Sequence, residues 1–179
     1  MALKATIFKA ELQLSDLDRQ HYGSYSLTLA RHPSETDERL MVRLLAFALY
    51  ASEYLSFCKG ISDDDEPDLW EMDLSGNLER WIEVGLPDEK RLRKACGRAR
   101  QVVVLSYGGR AADIWWQQNQ SALAKQEKLT VLNLPASQSQ ALAALAERTM
   151  NLSCTIQEGQ VWLSSSGYDL QLEPVRLQE

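Results

Sequence analysis

WIEVGLPDEKRLRKACGRAR, residues 81–100, changes from a strand pattern to a helix pattern within twenty residues. Trp81, Ile82 and Val84 form an apolar run interrupted by one acid, Glu83, and Gly85 and Pro87 break it. On a wheel at about 100° per residue, Leu92, Ala95, Cys96 and Ala99 then share one narrow arc. Lys90, Arg91, Arg93, Lys94, Arg98 and Arg100 fill the other side, six basic residues in eleven. A strand followed at once by such a helix is one half of a β-α-β crossover, and QVVVLS (101–106) supplies the next strand. Its apolar residues run on without alternation, as in a strand covered on both faces.

Outward from this unit, the pattern repeats. A helix (ADIWWQQNQSALAKQ), a strand (KLTVLNL), a helix (SQSQALAALAERT) and two or three closing strands follow. Before it, PDLWEMDL, a turn at SGN and LERWIEVG form a hairpin, reached through the acidic loop SDDDEP. Phe8, Ala10, Leu12 and Leu14 alternate with Lys9, Glu11 and Gln13, and Tyr25, Leu27 and Leu29 alternate after the connector DLDRQHYG. Between these parts, HPSETDERLMVRLLAFALYASEYLSF predicts a long, very apolar helix running to about Phe57, with Ser34 as its cap. The expected fold is α/β: a single domain over 1–179 with one mixed β-sheet flanked by helices.

Composition narrows the function classes. The chain has 179 residues, a net charge of −6 and 45% hydrophobic residues, ordinary values for a globular protein. Such acidity argues against coating nucleic acid by overall charge, while leaving room for a local basic groove. Three cysteines, Cys58, Cys96 and Cys154, show no CxxC spacing, so they read as small buried hydrophobes in a reducing compartment. MALKATIFKAEL has no apolar signal core, and no run approaches the roughly 18 apolar residues of a span, so the expected location is cytoplasmic, away from membranes. His21 and His32 lack partners for a triad or zinc site, and Ser164-Ser165-Ser166-Gly167 lacks a nucleophile elbow. Tyr107-Gly108-Gly109-Arg110 reads as a strand-to-helix turn at which Arg110 could meet a ligand. Trp115 and Trp116 are adjacent on a helix, so one belongs to the core and the other is available for the surface or for stacking a base.

The acids are the other signal. If the hairpin closes through Ser75-Gly76, paired residue numbers sum to 151 and Asp68 lies opposite Glu83, with Cβ atoms about 4.5–5.5 Å apart. A three-residue loop would instead send the two to opposite faces. Carboxylates that close repel unless a cation or proton lies between them, and Mg²⁺ is a natural occupant. Glu38 heads the apolar stripe of the long helix rather than its Arg39/Arg43 face. It reads either as a helix-dipole acid or as a third acid beside Asp68 and Glu83. The cationic helix reads either as a solvated face or as a surface tracking phosphates.

HPSETDERLMVRLLAFALYA (32–51), EPDLW (66–70) and WIEVGLPDEKRLRKACGRA (81–99) closely resemble the YaeQ family of bacterial proteins, with similarity along the whole chain. That family resembles the PD-(D/E)XK nucleases in fold, with a restriction-endonuclease-like sheet and a metal-binding hairpin. Here the motif corresponds to Pro67-Asp68, fourteen intervening residues, then Glu83-Val84-Gly85. The resemblance implies Mg (or Mn) held by Asp68, Glu83 and the Val84 carbonyl, with Glu38 as the acid of the first core helix. Gly85 occupies the place of the motif lysine, so Lys90 or Lys94 would have to supply that cation. Arg91, Arg93, Arg98 and Arg110 would hold flanking phosphates of a nucleic acid. The implied activity is metal-dependent phosphodiester hydrolysis. The alternative is a nuclease-like fold that binds nucleic acid or a regulatory protein partner without chemistry.

Overall fold

The computed structural model describes residues 4–58 and 65–179, and the first half of the acidic loop SDDDEP (62–67) lies outside them. In chain order the elements begin with β1 (Thr6–Asp16), β2 (His21–Arg31), α1 (Asp37–Tyr50), β3 (Leu55–Phe57), β4 (Leu69–Met72), β5 (Leu78–Val84) and α2 (Glu89–Arg98). They continue with β6 (Gln101–Ser106), α3 (Arg110–Leu123), β7 (Leu129–Asn133) and α4 (Ala136–Ala143). The last four are β8 (Thr149–Gln157), β9 (Gln160–Ser165), β10 (Tyr168–Leu172) and β11 (Val175–Gln178).

These strands form two mixed sheets, not the single sheet expected. One has the order β10-β9-β8-β1-β2 and the other β11-β7-β6-β5-β4-β3. In the first, β1 pairs in parallel with β8, more than a hundred residues away. In the second, β5, β6 and β7 are parallel neighbours, as the crossover pattern requires. The first sheet collects the opening hairpin and the closing strands.

The extreme apolarity of α1 is explained by its position between the sheets. One apolar cluster joins Leu12, Leu14, Leu29 and Leu152 of the first sheet, Leu40 through Ala48 apart from Arg43, and Leu69, Ile82, Val84, Val103 and Leu105 of the second. A helix apolar on nearly all sides belongs in such an interior. Each Leu-sized side chain buried there contributes about 1.5–3 kcal/mol. The other face of the second sheet packs Trp81, Val102, Val104 and Val131 against Leu92, Ala95 and Cys96 of α2 and Trp115 and Leu123 of α3. The β6 run therefore serves two cores at once, and the apolar arc of α2 is the one read from the wheel. Trp115 is buried, with Nε1–H donating to the Pro87 carbonyl at 2.6 Å, and Trp116 is half-buried beside it.

Two boundaries differ from the expectation. The cap of α1 is Thr36, whose Oγ1 accepts the Arg39 N–H at 3.1 Å, while the Ser34 N–H donates to His32 Nδ1. The helix stops at Tyr50, where Arg19 Nη1 donates to the Ala51 carbonyl at 3.0 Å. Leu55-Ser56-Phe57 then alternate and pair with β4. Among the described residues, no helix is long and apolar enough to cross a membrane.

Candidate functional site

Parallel β-α units leave a crevice at the carboxyl ends of their strands, where ligands characteristically bind. Here that edge is formed by Val84, Ser106 and Asn133, the last residues of β5, β6 and β7. Antiparallel β4 runs the other way, so its start, with Asp68 just ahead of it, lies at the same edge.

The hairpin register carries Asp68 there. Leu69, Trp70 and Glu71 pair with Ile82, Trp81 and Arg80, each pair summing to 151. The hairpin nonetheless closes over a three-residue loop, with Met72 opposite Leu78 and the Asp73 N–H donating to the Asn77 carbonyl at 2.9 Å, and a bulge between Glu71 and Met72 restores the parity that such a loop would break. The ladder ends one residue short of Asp68. The Asp68 N–H donates to the Ile82 carbonyl at 3.1 Å. Its carboxylate Oδ2 accepts the Val84 N–H at 2.7 Å, so the side chain replaces the next backbone rung. Its Oδ1 accepts from Arg39 Nη2 at 2.6 Å.

Glu83 is buried beside it. Glu83 Oε1 accepts from Trp81 Nε1 at 2.8 Å and from Arg91 Nε at 2.7 Å. Burial pushes the Glu83 carboxyl above its ordinary range, and the nearby Asp68 charge adds to this, while Arg91 and Trp81 pull it back. Each buried acid thus sits against an arginine.

Those arginines come from unexpected places. Arg39 and Arg43 form the face of the long helix set apart from the apolar stripe, yet Arg43 is 1% exposed and Glu35 7%. Arg43 donates through Nε and Nη2 to the Glu35 carboxylate at 2.9 and 2.7 Å and to the Ala30 carbonyl at 2.9 Å. Arg39 Nη1 donates to Glu35 Oε2 at 2.8 Å, so the chain of bonds runs from Arg43 through Glu35 and Arg39 to Asp68. The detectable signal is the four-residue spacing of Glu35, Arg39 and Arg43, an acid just before the Thr36 cap followed by two arginines one turn apart on α1.

Glu38 does not join the two acids. Its Oε2 accepts from Ser139 Oγ of α4 at 2.8 Å. It remains close enough, with Glu35, Arg39 and Asp68, to act on the Tyr107 hydroxyl, whose pKa is pushed up to about 12, mainly by burial. Tyr107, read as part of a turn, therefore lines the crevice. Among the described residues, no three His, Cys, Asp or Glu side chains lie close enough together to hold a metal. Asp68, Glu83 and the Val84 carbonyl are nonetheless hard oxygen donors of the kind Mg²⁺ and Mn²⁺ take. Arg39 Nη2, 2.6 Å from Asp68 Oδ1 and 3.5 Å from Val84 O, places a positive group between two of them.

The remaining predicted residues distribute around this centre. Gly85 has φ 110°, while an added Cβ would meet nothing within 4 Å. The backbone, not space, disfavours a lysine there, at roughly 1–3 kcal/mol of strain. Lys90 and Lys94 are exposed and, with Asp88 and Arg91, line a surface hollow of about 290 Å³. The cation on Glu83 is Arg91, which also donates through Nη2 to the Glu66 carbonyl at 2.7 Å. Arg93 pairs with Glu89 at 3.5 Å on the outside of α2. Arg98 Nη1 donates to the Asp65 carbonyl at 3.1 Å, and its guanidinium lies 5.0 Å from the Trp81 ring centre. Arg110 is exposed at the first turn of α3, directly after Gly109 at φ 61°.

Comparison with known proteins agrees with this arrangement of elements. The chain is 50% identical over 172 residues to the protein YaeQ of Escherichia coli, covering 96% of this chain and 95% of that one. It is 49% identical over 173 residues to YaeQ of Salmonella typhi, covering 97% and 96%. The crystal structure of a YaeQ protein from Xanthomonas axonopodis pv. citri superposes with TM-score 0.94 at 49% identity, covering 97% of this chain and 98% of that one. That of a Pseudomonas syringae YaeQ protein gives TM-score 0.93 at 36% identity, covering 98% and 97%. The family model described as YaeQ protein matches residues 1–174, and the chain belongs to the YaeQ family.

Proposed function

We propose that the protein hydrolyses phosphodiester bonds of nucleic acid with a divalent metal, as a variant of the PD-(D/E)XK nucleases. The observation that carries this reading is a pair of buried carboxylates, Asp68 and Glu83, on adjacent strand ends of one hairpin at the carboxyl edge of a parallel sheet, near enough that the Asp68 charge raises the Glu83 pKa. Their spacing along the chain is that of the superfamily motif.

Asp68, Glu83 and the Val84 carbonyl would hold the ion. When bound, Mg²⁺ or Mn²⁺ supplies Lewis-acid polarisation of a phosphoryl oxygen and a more acidic water. Trp81 Nε1–H and Arg91 fix the orientation of Glu83, and the Val84 N–H fixes that of Asp68. Glu38, anchored by Ser139, stands at the crevice to orient a water. Lys90, Arg93 and Lys94 face solvent along α2 and would hold flanking phosphates, a contribution that weakens with salt.

The test is cleavage of single-stranded DNA, duplex DNA and RNA by wild type and Asp68→Asn, with Mg²⁺ or Mn²⁺ and with chelator. Cleavage is expected only with the ion, and at least about 100-fold slower in the variant, the loss typical when one preorganised charged group is removed. Chelator-insensitive cleavage, or full activity in Asp68→Asn, would contradict the reading. A second reading is a nucleic-acid-binding protein without hydrolysis, and it is favoured by Gly85 at the lysine position and by the arginine on each acid. Chelator-insensitive binding with no cleavage under any of these conditions would select it.

A further inference from the structure

We propose that Arg39 and a divalent cation compete for Asp68. The guanidinium holds the carboxylate while the metal is absent, yields it when the ion binds, and then serves as the positive charge facing substrate phosphate. This rests on the metal-site reading above and adds the residue that regulates the site.

The geometry supports it in three ways. Arg39 Nη2 stands 2.6 Å from Asp68 Oδ1, so an ion cannot bind that oxygen without displacing the nitrogen. The same nitrogen is 3.5 Å from Val84 O, too long for a good hydrogen bond, so that carbonyl gains by exchanging it for a metal. Finally, Arg39 has a second anchor. Nη1 donates to Glu35 Oε2 at 2.8 Å, and Glu35 is itself clamped by the buried Arg43. Released from Asp68, the guanidinium keeps that anchor, and at 18% side-chain exposure it already reaches solvent. Two cations at one carboxylate repel, so the exchange leaves the crevice with a metal and an adjacent positive charge. Lys90 and Lys94, exposed on α2, are less well placed for that task.

The experiment is calorimetry of Mn²⁺ binding to wild type and Arg39→Gln, with thermal melting to verify folding. Glutamine removes the competing charge, and its shorter side chain with one amide nitrogen gives up the paired contacts to Glu35 and Asp68, so the melting control is needed. Arg39→Gln is expected to bind Mn²⁺ about tenfold more tightly than wild type, because a charge-assisted bond no longer opposes the ion. In the presence of Mg²⁺ its affinity for a single-stranded oligonucleotide is expected to fall, with a shallower salt dependence. Equal or weaker Mn²⁺ binding in the variant, with clear binding in wild type, would overturn the competition and leave the metal site standing. No Mn²⁺ binding by either protein would overturn both. Unchanged oligonucleotide affinity would overturn the phosphate role. If Arg39→Gln does not fold, nitrogen NMR of the wild-type arginine side chains under Mg²⁺ titration gives the same answer. Arg39 guanidinium signals should shift and saturate with the metal, and static signals would overturn the proposal.

Discussion

Glu35→Ala is expected to destabilise the fold by about 3–5 kcal/mol, the loss typical when one partner of a buried ion pair is removed. Both side chains of the Glu35–Arg43 pair are 1% exposed, so solvent does not screen them. Without Glu35 the Arg43 guanidinium keeps its bond to the Ala30 carbonyl but loses its carboxylate, and Arg39 loses its second anchor. For a chain of this length the Tm falls on the order of 10 °C. Replacing both partners, as in Glu35→Leu with Arg43→Met, is expected to recover most of the loss, because no buried charge is then stranded. Denaturant midpoints of the wild type and the two variants measure this directly. A loss under 1 kcal/mol for Glu35→Ala would mean that water reaches the pair.

Trp81→Ala is expected to cost about 3–5 kcal/mol as well, by a different route. The ring is 2% exposed, packs edge-on to Trp70 and carries the Arg98 guanidinium at 5.0 Å from its centre. Removing it opens a cavity between the second sheet and α2 that rigid backbone cannot fill. It also removes the N–H that holds Glu83 Oε1. Trp81→Phe separates these effects, since it keeps most of the packing and loses the donor. It should cost roughly 1–3 kcal/mol and leave Glu83 still harder to ionise. Chemical denaturation of the two variants supplies the comparison.

Period-two and period-3.6 patterns made the local units legible in the sequence. The buried arc of α2 followed from a wheel. The facing of Asp68 and Glu83 did not follow from the turn, because the hairpin closes over three residues, Leu74 to Gly76, and a bulge between Glu71 and Met72, which no local pattern announces, restores the register. The β6 run announced a strand covered on both faces. The second sheet was not legible, because the β1–β8 pairing is a contact across most of the chain that no local pattern encodes. Charge misled the reading of α1. Arg39 and Arg43 stood out as a face apart from the apolar stripe, whereas Glu35 neutralises them inside the protein, and Glu38 turns to Ser139 instead of the acids. Gly85 was legible as a departure from the motif but not as a backbone requirement, since its positive φ belongs to the fold.

The central claim is that the Asp68–Glu83 crevice is a divalent-cation site, and calorimetric titration of Mg²⁺ and Mn²⁺ into wild type and Asp68→Asn tests it most directly. Asparagine can still accept the Val84 N–H, so the hairpin end is preserved while the ligand charge is lost. One binding site in wild type, absent from Asp68→Asn, is the expected result. Equal binding in the two proteins, or no binding in wild type, would contradict the account.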